Sequence, residues 1–181
     1  MTLSSEDRGF LLSLARASIK AELTGEAPSI DVPESKVLTA RSGAFVTLHM
    51  AGALRGCIGN FTSNKPLYKN IAELARSSAF HDPRFNPLRA EELPAIDIEI
   101  SVLSPLREIR DVSEIKVGRH GIFIEKGYAR GVLLPQVATE NNFDRQTFLE
   151  HTCMKAGLEP NCWKSGATIS VFEAEIFGEI D

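Results

Sequence analysis

The chain has 181 residues, 43% hydrophobic and 24% charged, and a net charge of −4 from 20 basic and 24 acidic side chains. A chain of this length forms one domain or two small lobes and buries roughly 70% of its unfolded surface, so it needs no disulfide or metal to fold. The composition excludes disorder, collagen and coiled-coil rods, and the mild acidic excess argues against general nucleic-acid binding.

Charged residues in Met1-Thr2-Leu3-Ser4-Ser5-Glu6-Asp7-Arg8 stand where a signal peptide needs an apolar run. No stretch approaches the ~18 apolar residues of a transmembrane helix. Cys57, Cys153 and Cys162 are odd in number and widely spaced, which is not a disulfide framework. Together these features predict a cytoplasmic protein with reduced thiols.

Ser4 and Asp7 form a helix-start pattern, and Phe10, Leu11, Leu14, Ala15, Ile19 and Leu23 follow at helical spacing. Gly25 and Pro28 end that helix, and residues 25–43 read as an extended loop. Phe45 to Met50 alternates, with Val46, Leu48 and Met50 on one face. Leu54 to Ile58 alternates again, with Arg55 and Cys57 opposite Leu54 and Ile58. A three-residue turn at 51–53, with Gly52 left-handed, would bring the two apolar faces together. It sets Met50 opposite Leu54, His49 opposite Arg55, Thr47 opposite Cys57 and Val46 opposite Ile58.

A helix capped near Asn64 and started by Pro66 is predicted next, buried through Leu67, Ile71, Leu74 and Ala75. His81 to Pro87 is a stiff polar loop. Ile96 to Val102 alternates as a strand that sets Glu99 opposite the isoleucines. Arg107 to Lys116 is polar. Residues 121–124 and 131–134 form a hairpin around 126–130. Asp144 caps a helix that Phe143 and Phe148 staple and Gly157 closes, with Leu158 beyond it. Thr168 to Phe177 is the last strand. The order α-β-β-α-β-β-β-α-β predicts an α+β fold on mostly antiparallel sheets. Two unequal lobes are expected, residues 1–110 with 166–181, and 111–165.

Leu54-Arg55-Gly56-Cys57-Ile58-Gly59 stands out chemically. Glycines inside a strand mark a bulge or a close approach, and here they leave the Cys57 sulfur open. Arg55 on the same face would favour the thiolate. The alternative is a small buried thiol packed beside a bulge. Asp82 and Arg84 offer a carboxylate and a guanidinium, either as a binding pair or as a pin for their own loop. Glu99 is either a general base or a solvated strand position. Gly118-Arg119-His120-Gly121 is an anion-binding nest or simply a turn. His49, His81, His120 and His151 show no metal-ligand spacing, and no nucleotide loop or Gly-x-Ser-x-Gly elbow is present, so neither metal nor cofactor is expected.

These blocks resemble the AMMECR domain family, called AmmeMemoRadiSam system protein A in bacteria and archaea. The likeness starts at Leu54–Gly59 and continues through Asp82-x-Arg84-Phe85-x-Pro87 and Ile98-Glu99-Ile100-Ser101-Val102-Leu103. Leu133-Leu134-Pro135-Gln136-Val137-Ala138 and Lys155-Ala156-Gly157-Leu158 before Trp163 complete it. The resemblance covers nearly the whole chain in order. It implies an α+β fold of two unequal lobes with a cleft between them, and a site around Arg55–Gly59. It also implies association with a Memo-type protein and a radical SAM protein.

Two readings follow. In the first, a thiol-dependent enzyme acts on an unknown small molecule. Cys57 is then the nucleophile or hydrogen donor, Glu99 or Asp82 moves a proton, and Arg84 anchors an anionic group. Arg55, Gly56, Gly59 and Gln136 complete the binding set. In the second, the same surface is a non-enzymatic partner-binding module. A nucleic-acid regulator ranks third on charge.

Overall fold

The computed structural model describes residues 2–26 and 31–180. The expected helix stop at Pro28 lies outside the described residues. The chain divides into two compact units, Met1–Leu103 with Glu175–Asp181, and Ser104–Ala174.

In the first unit, helix α1 (Ser5–Thr24) begins with a reciprocal capping box between Ser4 and Asp7 and ends at left-handed Gly25. The predicted apolar stripe is the buried one. A one-turn helix, α2 (Lys36–Thr39), interrupts the expected loop. Strands β1 (Ala44–Met50), β2 (Ala53–Asn60) and β3 (Ile96–Leu103) form an antiparallel sheet in the order β2-β1-β3. Helix α3 (Leu67–Phe80) lies across it beside α1. Val46, Leu48, Ile98 and Ile100 face the helices and meet Ile19 and Ile71 in a fully buried core. Asn64 does not cap α3. Pro66 holds that place, and the orphan N–H of Leu67 donates to the Ala40 carbonyl at 2.8 Å. The missing cap bond therefore comes from a distant backbone group, which no local pattern reveals.

The β1–β2 turn differs from the expected one. It has two residues, Ala51 and Gly52, both at positive φ, as a primed hairpin turn requires. His49 faces Leu54, while Leu48 faces Gly56, so Arg55 is an extra residue that bulges out of the ladder. The bulge restores the phase, and Thr47 still faces Cys57 and Val46 still faces Ile58. A longer turn and a bulge both correct the face mismatch. The tight turn matches the strand twist, and the bulge takes up the extra residue.

In the second unit, β4 (Arg107–Ile109) and β5 (His120–Lys126) flank the first half of β7 (Thr168–Gly178), whose end from Glu175 belongs to the first unit, and β6 (Ala129–Leu133) pairs with β5, all antiparallel. Helix α4 (Pro135–Glu140) precedes α5 (Arg145–Lys155), which packs on β5 and β6 through buried Phe148 and Leu149. Asp144 caps α5, with its carboxylate accepting from the Thr147 N–H. Gly157 and Leu158 close it with two reverse bonds, to the carbonyls of Met154 and Cys153. Mixed helix and antiparallel strand make the fold α+β, as the pattern predicts. Short α2, β4 and α4 are too brief to leave a periodic signal.

The three cysteines are not all reduced thiols, although their count and spacing suggest it. Cys153 and Cys162 form a disulfide, with Cα atoms 5.9 Å apart, and Cys57 is the free cysteine. The Gly157 turn folds the chain back so that residue 162 meets the last turn of α5. An odd cysteine count is thus one local pair plus one thiol. Closing so short a loop contributes about 2.5 kcal/mol by loop entropy. The cysteines therefore give no argument for a reducing compartment. Among the described residues, no helix is long and apolar enough to cross a membrane.

Candidate functional site

The sheet face opposite the helices carries the polar side chains of alternating strands. Thr47 faces Cys57 on one side and Glu99 on the other, so the three form one row across β2, β1 and β3. The Thr47 hydroxyl donates to the Cys57 sulfur at 3.3 Å. One step along, His49 faces Asp97. Cys57 is neither fully buried nor fully exposed. Glu99 is half-buried, and its side chain makes no hydrogen bond or ion pair among the described residues. Asp97 feels the charge of Arg16, whose guanidinium binds the Glu179 carboxylate and the carbonyls of Leu93 and Ile96.

Strand β2 is the outer strand of this sheet, and its open edge at Cys57 is closed by side chains. The Cys57 N–H donates to Asp82 Oδ2 at 2.9 Å, and Arg84 Nη2 donates to the Cys57 carbonyl at 3.2 Å. Arg84 also binds Asp82 through Nε and Nη2, at 3.0 and 2.7 Å. The Asp82–Arg84 pair thus stands in for a neighbouring strand and blocks edge pairing at this residue. Arg84 beside it and the N–H groups of Cys57 and Arg84 hold the Asp82 carboxyl well below the usual carboxylate range, against the opposing effect of burial.

On the inner side, Ser78 of α3 enters the ladder. Its hydroxyl accepts from the Ile58 N–H at 2.9 Å and donates to the Val46 carbonyl at 2.7 Å. Such insertion needs a very close helix. A β-carbon on Gly56 would lie 2.2 Å from the Ser78 carbonyl oxygen, and one on Gly59 would lie 2.1 Å from the Phe45 ring. The glycines therefore mark close approaches, of helix on strand at Gly56 and of ring on strand at Gly59, as glycines inside a strand suggest.

Arg55 also has a different partner from the expected one. The bulge turns its guanidinium to Glu92, with two bonds of 3.0 and 3.1 Å, and to the Asn86 carbonyl. Both side chains of this pair are under 15% exposed. Arg55 holds Glu92 down to about 2, helped by the Arg89 N–H. The Arg55 and Arg84 guanidinium carbons lie 6.0 and 5.5 Å from the Phe85 ring centre, so the ring serves both.

Gln136 belongs to the second unit, at the start of α4, and its Oε1 is buried without a hydrogen-bond partner among the described residues. The other expected site residues lie in the first unit. Gly118 and Arg119 form the turn that leads into β5 at His120, and the Arg119 and His120 N–H groups donate to the Lys116 carbonyl. Among the described residues, no group of three potential ligands is placed to hold a metal ion.

Sequence reasoning missed Ser78 and Glu92. Neither has a local signal, because each acts across more than a dozen residues of chain. Thr47 was legible as the position opposite Cys57, although its bond to the sulfur was not.

This geometry belongs to an α+β protein with a thiol on a clamped strand edge. A family model described as AMMECR1 matches residues 12–177, and the chain belongs to that family. A protein of Methanothermobacter thermautotrophicus is 44% identical, over 98% of this chain and 96% of its own. One from Methanosarcina barkeri is 42% identical, over 93% and 88% of the two chains. The crystal structure of an uncharacterized protein from Pyrococcus horikoshii superposes with a TM-score of 0.81 at 41% identity, covering 94% of this chain and 90% of that one.

Proposed function

We propose that the face carrying Cys57, Thr47 and Glu99 binds a small molecule and that Cys57 reacts with it as a thiolate or as a thiol hydrogen donor. The observation that carries this reading is the single cross-strand row, with the Thr47 hydroxyl on the sulfur and a carboxylate without a partner at the other end. Directly opposed side chains sit about 5 Å apart, so a ligand lying over Thr47 touches both the sulfur and the Glu99 carboxylate. Glu99 is the group that moves a proton. Asp82 is unsuited to that role, because its oxygens are taken up by Arg84 and by two backbone N–H groups. Arg84 fixes the strand edge that carries the thiol. A radical SAM protein and a Memo-type protein are the proposed partners, and such a system belongs in the cytoplasm.

In a strain lacking the gene, the wild-type chain is expected to restore the deletion phenotype and Cys57→Ser to fail at equal expression. Full complementation by Cys57→Ser would remove the thiol from the reading. A second reading, a partner-binding module, is favoured by one observation. Among the described residues only the Thr47 hydroxyl hydrogen-bonds the sulfur, and no base does. That reading expects a stable complex after anaerobic purification, unchanged by Cys57→Ser.

A further inference from the structure

We infer that His120 is a pH-operated latch: its neutral ring holds the turn before β5 closed, and its protonation opens that turn and draws Glu173 away from Arg119. All the groups involved lie in the second unit, and none of them takes part in the Cys57 reading.

Hydrogen bonds to Lys116 close this turn from both ends. The Lys116 carbonyl accepts from the N–H groups of Arg119 and His120, at 3.1 and 2.9 Å. The Lys116 N–H donates to His120 Nδ1 at 3.2 Å. The imidazole is 7% exposed, so that bond is shielded from water. Turned over, the ring would set a carbon against the N–H, which fixes Nδ1 as the acceptor. A ring that accepts at Nδ1 is neutral and carries its hydrogen on Nε2. The chain is anchored just before the turn, where Ile115 is fully buried and its carbonyl accepts from Arg145 Nε. Residues 116–119 are exposed, so the turn opens without disturbing the core.

Protonation sets a hydrogen on Nδ1, so two donors then face each other and the bond to Lys116 is lost. Glu173 stands opposite His120 in the β5–β7 pairing, with its Oε1 3.8 Å from Nε2. That oxygen accepts from Arg119 Nε at 2.8 Å. A charged ring competes with Arg119 for it, and Arg119 belongs to the turn that has just been released. The charged groups that face the ring are Glu173 of β7, Arg107 of β4, and Arg119 and Lys116 of the turn itself. Burial holds the ring below the ordinary histidine value. Glu173 opposes this, and Arg107, Arg119 and Lys116 add to it. The open turn frees Nδ1 and binds the proton more readily than the closed one, so acid favours the open form. Opening therefore begins as pH falls through the ordinary value of 6.5 and is complete below the lower value of the closed form.

Nuclear magnetic resonance of the intact chain between about pH 8 and 5 tests this, with the His120 ring and the Lys116 amide followed together. His120 is expected to titrate below the ordinary histidine value. Hydrogen exchange at the Lys116 N–H, corrected for its intrinsic rate, is expected to speed up several-fold over the same range. His120→Asn sets an amide oxygen near the place of Nδ1 and takes up no proton there, so Lys116 exchange should stay slow at both ends of the range. Fast exchange at every pH in that variant would still identify Nδ1 as the acceptor that closes the turn. Glu173→Gln removes the anion that attracts the proton, and should move the His120 and Lys116 midpoints together to lower pH. Constant Lys116 exchange while His120 titrates, or a pH response that survives in His120→Asn, would overturn the inference. Midpoints that stay in place or separate in Glu173→Gln would overturn the exchange of partners at Glu173.

Discussion

Replacing Gly56 with alanine is expected to destabilise the protein by about 3 kcal/mol, at the upper end of overpacking costs, because the obstacle is backbone. The added carbon would lie 2.2 Å from the Ser78 carbonyl oxygen and 3.1 Å from its carbon. No flexible side-chain end can move aside. Helix α3 must lift off β2, and the Ser78 hydroxyl then leaves the ladder between Ile58 and Val46. Urea unfolding measures the loss, with Gly9→Ala as the control. Gly9 lies within α1, and nothing is within 4 Å of its added carbon. There the same change is expected to stabilise by about 0.5–1 kcal/mol through helix propensity. Equal effects at both sites would contradict the close-approach account of Gly56.

The second large effect is expected at Asp82. Asp82→Ala removes the acceptor of the Cys57 N–H and the partner of Arg84 together. Breaking a fully buried ion pair costs about 3–5 kcal/mol. Arg84 is 55% exposed and can regain water, so a loss of about 2–3 kcal/mol is expected. In a chain of this size that lowers Tm by roughly 4–10 °C. Asp82→Asn keeps an acceptor for the N–H and is expected to cost less.

The sign of the pH effect follows from the direction of the shift. Asp82 is held below its unfolded value, so it binds a proton more readily in the unfolded chain. Its contribution is complete above about pH 4 and is lost as pH falls toward the lower folded value. Glu92, held at about 2, loses its contribution in the same acid window. Urea midpoints between pH 5 and 2 should therefore fall more steeply in the wild-type protein than in Asp82→Asn. Parallel slopes would show that the pair is not linked to folding.

Long periodic elements were legible in the sequence, and so were their faces. The α1 stripe, the β3 alternation and the capped, glycine-closed α5 all follow from local pattern, because one buried face dictates each. The β1–β2 turn was misread because a bulge and a longer turn correct the same mismatch. The disulfide was missed because the three cysteines were weighed by their odd count, although the glycine closure of α5 already turned the chain back and Cys162 lies only 9 residues from Cys153. At the site, Thr47 opposite Cys57 and the face of Glu99 were legible from alternation, but the pairing of β3 with β1 that sets Glu99 opposite Thr47 was not, because alternation fixes a face and not a partner strand. Two partnerships remained hidden, that of Arg55 with Glu92 and that of Ser78 with the ladder. Both depend on how a bulge and a helix settle in three dimensions. The reason for Gly56 was hidden for the same cause, since the atom it makes room for belongs to α3.

The most direct test of the Cys57 site is the alkylation rate of that thiol by iodoacetamide, under anaerobic conditions and without reductant. It is compared in the native protein, the urea-unfolded chain and Thr47→Val. The Thr47 hydroxyl bonds the sulfur and holds the thiol at the sheet face where a reagent meets it. The account predicts that the native thiol reacts faster than the unfolded one at the same pH and slows several-fold in Thr47→Val. A native thiol that reacts more slowly than the unfolded one, unaffected by Thr47→Val, would make Cys57 a packing residue and contradict the account.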